Sequence, residues 1–168
     1  MQLTKQESRN ILKQNRLSLT RLERQQKSRL IKARLLEVID GQDIKFVHCF
    51  EPIEELGEVD VSDFIEGRQL FTSRLIDNKW QIISAKVDNV VPTNFDAIIV
   101  PMLGFDNRLQ RIGYGGGYYD RFLAGQPKAL KIGVCFEIGR VDKLPAEPHD
   151  IPLDIVITEE QIYQNGSH

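Results

Sequence analysis

The sequence predicts a three-layer, Rossmann-like α/β domain with a largely parallel sheet flanked by helices. Three observations predict it. Short, nearly continuous apolar runs such as Ala97–Val100, Lys131–Phe136 and Asp154–Thr158 lack the polar alternation of half-exposed strands, so they read as strands buried on both faces. Helical stretches separate these runs. A glycine-rich loop follows one of them, and α/β sheets bind ligands in loops beyond the carboxyl ends of their strands. The 168 residues suit one domain, 1–168, with a sizeable core. Hydrophobic content of 41% and charged content of 27% fit a soluble globular protein, and a net charge of −2 argues against nucleic-acid binding. No apolar run approaches the ~20 residues that cross a bilayer. The polar N-terminus shows no secretory signal, so a cytoplasmic location is expected. Cys49 and Cys135 sit far apart within apolar runs and read as buried free thiols.

In chain order, residues 4–40 predict two helices broken near Ser18 to Thr20. Thr4-Lys-Gln-Glu7 and Thr20-Arg-Leu-Glu23 each fit a capping box. The second helix offers Leu22, Leu30, Ile31, Leu35, Val38 and Ile39 as an apolar face, and its basic residues read as a solvated one. Gly41–Asp43 is a turn, Lys45–Phe50 a buried strand, and Val59–Glu66 a short helix ended by Gly67. Gln69–Thr72 and Lys79–Ser84 read as strands. Ala97–Val100 is a strand closed by Pro101, Tyr118–Ala124 a helix, and Lys131–Phe136 and Asp154–Thr158 the last two strands. Trp80 is read as a core residue, with a stacking surface for a ligand as the other reading.

The most informative stretch is Arg111-Ile112-Gly113-Tyr114-Gly115-Gly116-Gly117-Tyr118-Tyr119-Asp120. Glycines let backbone N–H groups approach a ligand closely, and a following helix points its positive end at the same spot. Arg111 adds a full charge. The combination suits a phosphate, with Asp120 placed for an accompanying metal ion. The spacing is neither the dinucleotide fingerprint nor the P-loop. A tight turn feeding a helix explains the glycines alone equally well; the neighbouring Arg111, Tyr118, Tyr119 and Asp120 favour a site.

The same residues resemble the signature of the 5-formyltetrahydrofolate cyclo-ligase family, which runs Val-Pro-Gly-x-Ala-Phe-Asp and then Arg-Leu-Gly-Tyr-Gly-Gly-Gly-Tyr-Tyr-Asp-Arg. This chain has Val100-Pro101, Phe105-Asp106 and Arg111 to Arg121. The resemblance extends to Lys5 and Arg9 on the first helix, Phe50-Glu-Pro52, Glu58-Val-Asp-Val61, Leu144-Pro145, His149-Asp150 and Asp154 to Glu159. It implies an ATP- and Mg²⁺-dependent ring closure of a reduced formyl-folate, 5-formyltetrahydrofolate. The formyl oxygen takes the γ-phosphoryl group, a folate nitrogen attacks the activated carbon, and phosphate leaves. The products are 5,10-methenyltetrahydrofolate, ADP and phosphate. A monomer or weak homodimer is expected.

The resemblance also implies roles. Lys5, Arg9 and Arg111 would neutralise triphosphate charge, with Arg9 also near the folate. The ATP-binding set runs through Ile112, Gly113, Tyr114, Gly115, Gly116 and Gly117 to Tyr118 and Tyr119. Arg111 and Tyr119 would take part in catalysis, and Asp120 and Asp154 would hold Mg²⁺. Pro52, Glu58 and Tyr118 would contact substrate, with Glu58 accepting from pterin N–H donors. Asp106 would shape its own loop, and His149 would be structural. The chain departs from the family pattern at several positions. Gly116 stands where many members carry lysine, Leu109 where a glycine is usual, and Val61 where a threonine is usual. The middle reads Gly67 to Arg74 and Val90-Val91-Pro92 in place of the family's lysine- and proline-bearing segments. Two other functions compete: a related ATP-using enzyme with a different substrate, and an ATP-binding regulatory module without turnover.

Overall fold

The computed structural model describes residues 3–62, 67–85 and 90–165. Helices α1 (Lys5–Ser18) and α2 (Arg21–Asp40) break where expected. Thr4 Oγ1 accepts from the Glu7 N–H at 3.2 Å while the Glu7 carboxylate accepts from the Thr4 N–H at 2.8 Å; Thr20 and Glu23 repeat the exchange. These reciprocal bonds satisfy N–H groups that a helix start leaves free.

The strands in chain order are β1 (Phe46–His48), β2 (Gln69–Ile76), β3 (Lys79–Ser84), β4 (Ala97–Pro101), β5 (Gly104–Asp106), β6 (Arg111–Ile112), β7 (Leu130–Val134), β8 (Arg140–Val141), β9 (Ile155–Ile157) and β10 (Ile162–Gln164). Seven of them form the main sheet in the order β10-β9-β7-β4-β1-β2-β3. The five inner strands are parallel, and only the edges β3 and β10 run antiparallel. Helix α3 (Tyr118–Ala124) follows the glycine loop as expected.

Alternation along β4 divides the core. Ala97 and Ile99 face α2 with Val47, Ile132, Val134 and Ile157, whereas Ile98 and Val100 face α3 with Phe71, Phe95, Leu123 and Val156. A third cluster of Leu12, Leu103, Ile112 and Leu144 lies under α1. Cys49 and Cys135 are buried and free.

Three expectations need correction, and one feature was not expected. Only Ile31, Leu35 and Ile39 of α2 are fully buried, whereas Leu22 and Leu30 are 63% and 51% exposed. At roughly 100° per residue, Leu22 lies about 180° around the helix from Ile31. Residues 59–61 are not helical; a 3-10 turn forms earlier, at Glu54–Leu56, and 63–66 lie outside the described residues. Strand β2 continues to Ile76, and its hairpin turns at Asp77 and Asn78 with φ of 49° and 60°, residues that tolerate the left-handed region. Finally, β5, β6 and β8 form a small second sheet, too short for any periodic pattern to announce.

That second sheet is organised by Asp106, which is fully buried. Its carboxylate accepts from the N–H groups of Arg108, Gln110 and Leu144 at 2.9, 3.1 and 2.9 Å and from the Arg108 guanidinium. Within this turn Leu109 takes φ 56° while its side chain is buried in the α3-side core. Burial of an apolar side chain thus offsets strain at a position where the resemblance leads one to expect glycine.

Gly104 meets the segment after β7 so closely that a Cβ would lie 2.4 Å from the Gly139 carbonyl oxygen and 2.8 Å from Leu12; Gly116 has nothing within 4 Å. Gly104→Ala is expected to cost about 1–3 kcal/mol in urea denaturation, as overpacking does. Gly116→Ala is expected to leave the midpoint nearly unchanged, so equal midpoints for the two variants would contradict this packing.

Candidate functional site

The glycine loop lies at the carboxyl ends of the inner strands, because β4 runs into it through the small sheet and α3 leads away from it. Gly115 and Gly117 take φ of 103° and 66°, conformations that side chains disfavour. Arginines hold its oxygen atoms from outside. Arg9 Nε donates to the Gly113 carbonyl at 3.1 Å, Arg121 Nη2 to the Gly116 carbonyl at 3.2 Å, and Arg16 Nη2 to the Tyr114 hydroxyl. Among the described residues, none of the N–H groups of 113–117 donates a hydrogen bond within the chain. With its oxygens held by cations and its N–H groups free, the loop has the character of an anion-binding nest.

Around the loop, cations are paired with acids. Arg111 Nη2 donates to Asp120 Oδ1 at 2.6 Å, and the Ile151 N–H reaches the same oxygen at 3.3 Å. Arg111 is 7% exposed at its side chain, and its buried Nε has no partner among the described residues. Burial draws its pKa down, against the opposing pull of Asp120 and Asp150. Lys5 Nζ contacts Glu147 at 2.6 Å and Asp150 at 2.8 Å. Burial opposes its charge, but the two carboxylates outweigh this and hold the ammonium above its ordinary range. Glu147, His149 and Asp150 converge closely enough to suggest a cation site, yet the lysine ammonium already fills that place.

Glu58 sits on the turn after Gly57, which takes φ 63°. Its carboxylate accepts from the Ile53 N–H at 2.7 Å and shares a hydrogen bond with Tyr114. Burial pushes its pKa up, opposed by those two bonds and by the charge of Arg16. Tyr114 is in turn driven well above the ordinary phenol range by burial and by Glu58. Half-buried Pro52 lies on the segment between β1 and this turn.

Tyr118 and Tyr119 open α3 with rings 5.2 Å apart and nearly perpendicular. Tyr118 shares a hydrogen bond with Ser73 of β2, and its ring packs 4.8 Å from Trp80 and 5.8 Å from Phe122. Trp80 is 54% exposed, which overturns the core reading and leaves it as an aromatic surface beside Tyr118. Tyr119 packs against His48 and Phe122, and burial raises its pKa strongly.

The structure thus brings together Lys5, Arg9, Glu58, Arg111, the loop from Ile112 to Gly117, Tyr118, Tyr119 and Asp120. It does not bring Asp154 to them. Asp154 precedes β9 at the amino end of the sheet, where Oδ2 accepts from the Lys131 N–H at 2.7 Å. Asp96 does the same for Lys45 and Phe46 at 2.9 and 2.8 Å. Both are struts between parallel strands, so Asp154 shares no ion with Asp120. Two concavities also lie away from the loop: about 260 Å³ between α1 and residues 138–145, and about 610 Å³ around Asp96 and Asp154.

Four further residues belong to the cluster: Arg16, His48, Ser73 and Asp150. Arg16 had a readable signal, because Lys5 and Arg16 are eleven positions apart, within about 20° on one helical face. Ser73 and His48 had none, since their contact depends on the register of β1 with β2.

Residues 67–159 match the model of the 5-formyltetrahydrofolate cyclo-ligase family. A 5-formyltetrahydrofolate cyclo-ligase of Mycoplasma pneumoniae is 28% identical over 156 residues, covering 88% of this chain and 93% of that protein. One from Escherichia coli is 36% identical over 111 residues, which is 60% of this chain and 61% of the relative. Among solved structures, a 5,10-methenyltetrahydrofolate synthetase from Mycoplasma pneumoniae superposes with TM-score 0.80 at 27% identity, covering 94% of this chain and 99% of the other. The NMR structure of the Aquifex aeolicus 5,10-methenyltetrahydrofolate synthetase gives 0.83 at 26% identity, with 99% and 95% covered. The mixed, mostly parallel seven-stranded sheet is the fold of these proteins, and the chain belongs to the 5-formyltetrahydrofolate cyclo-ligase family.

Proposed function

We propose that this chain, acting as one domain, catalyses the ATP-dependent cyclisation of 5-formyltetrahydrofolate to 5,10-methenyltetrahydrofolate, releasing ADP and phosphate. The observation that carries the phosphate half of this reading is the loop of 113–117, its oxygens held by Arg9, Arg16 and Arg121 while its N–H groups are unused. Free N–H groups beside Arg9, Arg111 and Lys5 suit a triphosphate.

The chemistry asks mainly for positioning and charge neutralisation. The formyl oxygen bonds to the γ-phosphorus as the bond to ADP breaks. The neighbouring folate nitrogen then attacks the activated carbon, losing its proton, and the carbon–oxygen bond breaks to release phosphate. Arg111, desolvated and held by Asp120, stabilises charge on the transferring group. Glu58 accepts from pterin N–H donors at the edge of the loop, beside Pro52. Trp80 and Tyr118 offer flat aromatic faces for the folate.

A Mg²⁺ ion bound with the nucleotide would neutralise phosphate charge. Asp120 fits a role in holding it, because its hydrogen bonds from the described residues fall on Oδ1 and leave Oδ2 available. Asp154 has no part in that role.

Mixing the protein with 5-formyltetrahydrofolate, ATP and Mg²⁺ is expected to raise the methenyl-folate absorbance, with no rise when either ATP or Mg²⁺ is omitted. Absence of product in the complete mixture, with ATP binding intact by calorimetry, would favour a nucleotide-binding module. Asp120→Asn is expected to lower turnover about 10²-fold, the scale of losing one electrostatic stabiliser, and to raise the Mg²⁺ concentration needed for half-maximal rate. Asp154→Asn should leave that Mg²⁺ dependence unchanged, so a shift in this variant would restore the amino-end carboxylate to the site. Arg111→Ala is expected to weaken ATP binding and turnover together; unchanged values for both would place its guanidinium outside the phosphate site.

A further inference from the structure

Beneath the tyrosine pair lies a polar chain that the reaction described above does not use. His48, at the carboxyl end of β1, is fully buried, and its Nε2 lies 2.8 Å from Ser73 Oγ. Ser73 Oγ in turn bonds the Tyr118 hydroxyl. The imidazole is enclosed by Phe122 at 4.6 Å, Phe95 at 5.6 Å and Tyr119 at 6.4 Å between ring centres. No polar atom of the described residues reaches Nδ1, which is buried without a partner. Burial drives the His48 pKa down to about 3, so the ring is neutral at ordinary pH and carries one proton on one nitrogen.

The position of that proton sets the direction of every bond in the chain. With the proton on Nδ1, a buried N–H has no acceptor, a rare and costly arrangement. With the proton on Nε2, only a lone pair goes unused. Nε2–H then donates to Ser73 Oγ. The serine hydrogen has no other acceptor among the described residues, so it goes to the tyrosine oxygen. Tyr118 receives that bond and keeps its own hydrogen for another acceptor, while Trp80 and Phe122 flank its ring at 4.8 and 5.8 Å and hold it in place.

We propose that Ser73, oriented by the buried imidazole of His48, is a positioning residue that presents the Tyr118 hydroxyl as a hydrogen-bond donor to an oxygen of the bound substrate. The assignment deepens the reading above and rests on it for the identity of that oxygen, the formyl oxygen or an oxygen of the phosphoryl group that it takes up. The oxygens of the phosphoryl group carry negative charge throughout the transfer, and the formyl oxygen gains it as the carbon–oxygen bond breaks and phosphate leaves, so a fixed donor favours that transition state over the bound ground state.

Two measurements test it. The first is ¹⁵N–¹H correlation NMR of the His48 ring in the ligand-free protein, which reports the tautomer without reference to activity. A neutral ring protonated on Nε2 is expected; protonation on Nδ1 reverses the chain and overturns the proposal. The second is a double-mutant cycle. Ser73→Ala is expected to lower kcat about tenfold with KM for the folate nearly unchanged, the worth of one neutral hydrogen bond. Ser73→Thr keeps the hydroxyl on a strand that tolerates β-branching and is expected to restore most of kcat. In a Tyr118→Phe background, Ser73→Ala should have no further effect. A Ser73→Ala enzyme within twofold of wild type, or an equal loss with and without the Tyr118 hydroxyl, overturns the positioning role. A wild-type protein that makes no methenyl-folate overturns the proposed function instead, while the tautomer measurement still decides the direction of the chain.

Discussion

One buried guanidinium holds the site to the rest of the molecule. Arg16 is 4% exposed, inside a structure where an unpaired charge is costly. Its Nη1 donates to the Met102 carbonyl just after β4 at 3.2 Å, and its Nη2 donates to the Tyr114 hydroxyl in the glycine loop. Three parts of the chain, α1, the end of the central strand and the loop, therefore share one side chain. Glu58 joins through Tyr114, which connects the acid proposed for the pterin to the loop proposed for the phosphates. The loop has no regular hydrogen-bond ladder, so its shape depends on such side-chain anchors. Leu12, one turn before Arg16, packs against Leu103, Ile112 and Leu144, and this apolar contact sets the depth at which the guanidinium enters.

The cations around the loop are kept in place by acids, with different degrees of access. Arg111 and Asp120 are both largely covered, so their pair is little screened by water; the Lys5 pair with Glu147 is more exposed and correspondingly weaker. On the proposed reading, a triphosphate meets guanidinium and ammonium groups that are already oriented. Side-chain ordering is then part of folding, and less of it falls on binding. The arrangement also explains why α1, first in the chain, belongs to a site whose signature lies a hundred residues later: Lys5, Arg9 and Arg16 all project from its loop-facing side.

Much of this was legible in the sequence, for identifiable reasons. Both helix starts were readable because a capping box is a local interaction, complete within four residues. The inner strands were readable because burial on both faces leaves a continuous apolar run. What escaped depended on contacts between distant segments. The small sheet has strands of two and three residues, with no period to detect. Trp80 read as core by composition, but β3 is an edge strand with an open side. The pairing of Ser73 with His48 and Tyr118 needs three elements at once, and the resemblance placed only the tyrosine.

Asp154 shows how a resemblance and a physical rule can disagree within one sequence. The residue lies in a matching motif, which led to its pairing with Asp120 at a metal. Yet it directly precedes an apolar strand, while the glycine loop comes after one. In a parallel sheet those positions are at opposite ends, and ligands collect at the carboxyl end. Chain order alone therefore puts the two carboxylates at opposite ends of the sheet. What Asp154 does instead follows from the same geometry. Where parallel strands begin, the first N–H groups lack a partner on one side. Asp154 accepts the one at Lys131, and Asp96 accepts those at Lys45 and Phe46. A carboxylate that starts one strand by bonding its neighbour fixes the register between them. Acidic residues that open strands in such sheets are thus explained by the backbone, and those that follow strands are the ones with oxygens to spare for a ligand.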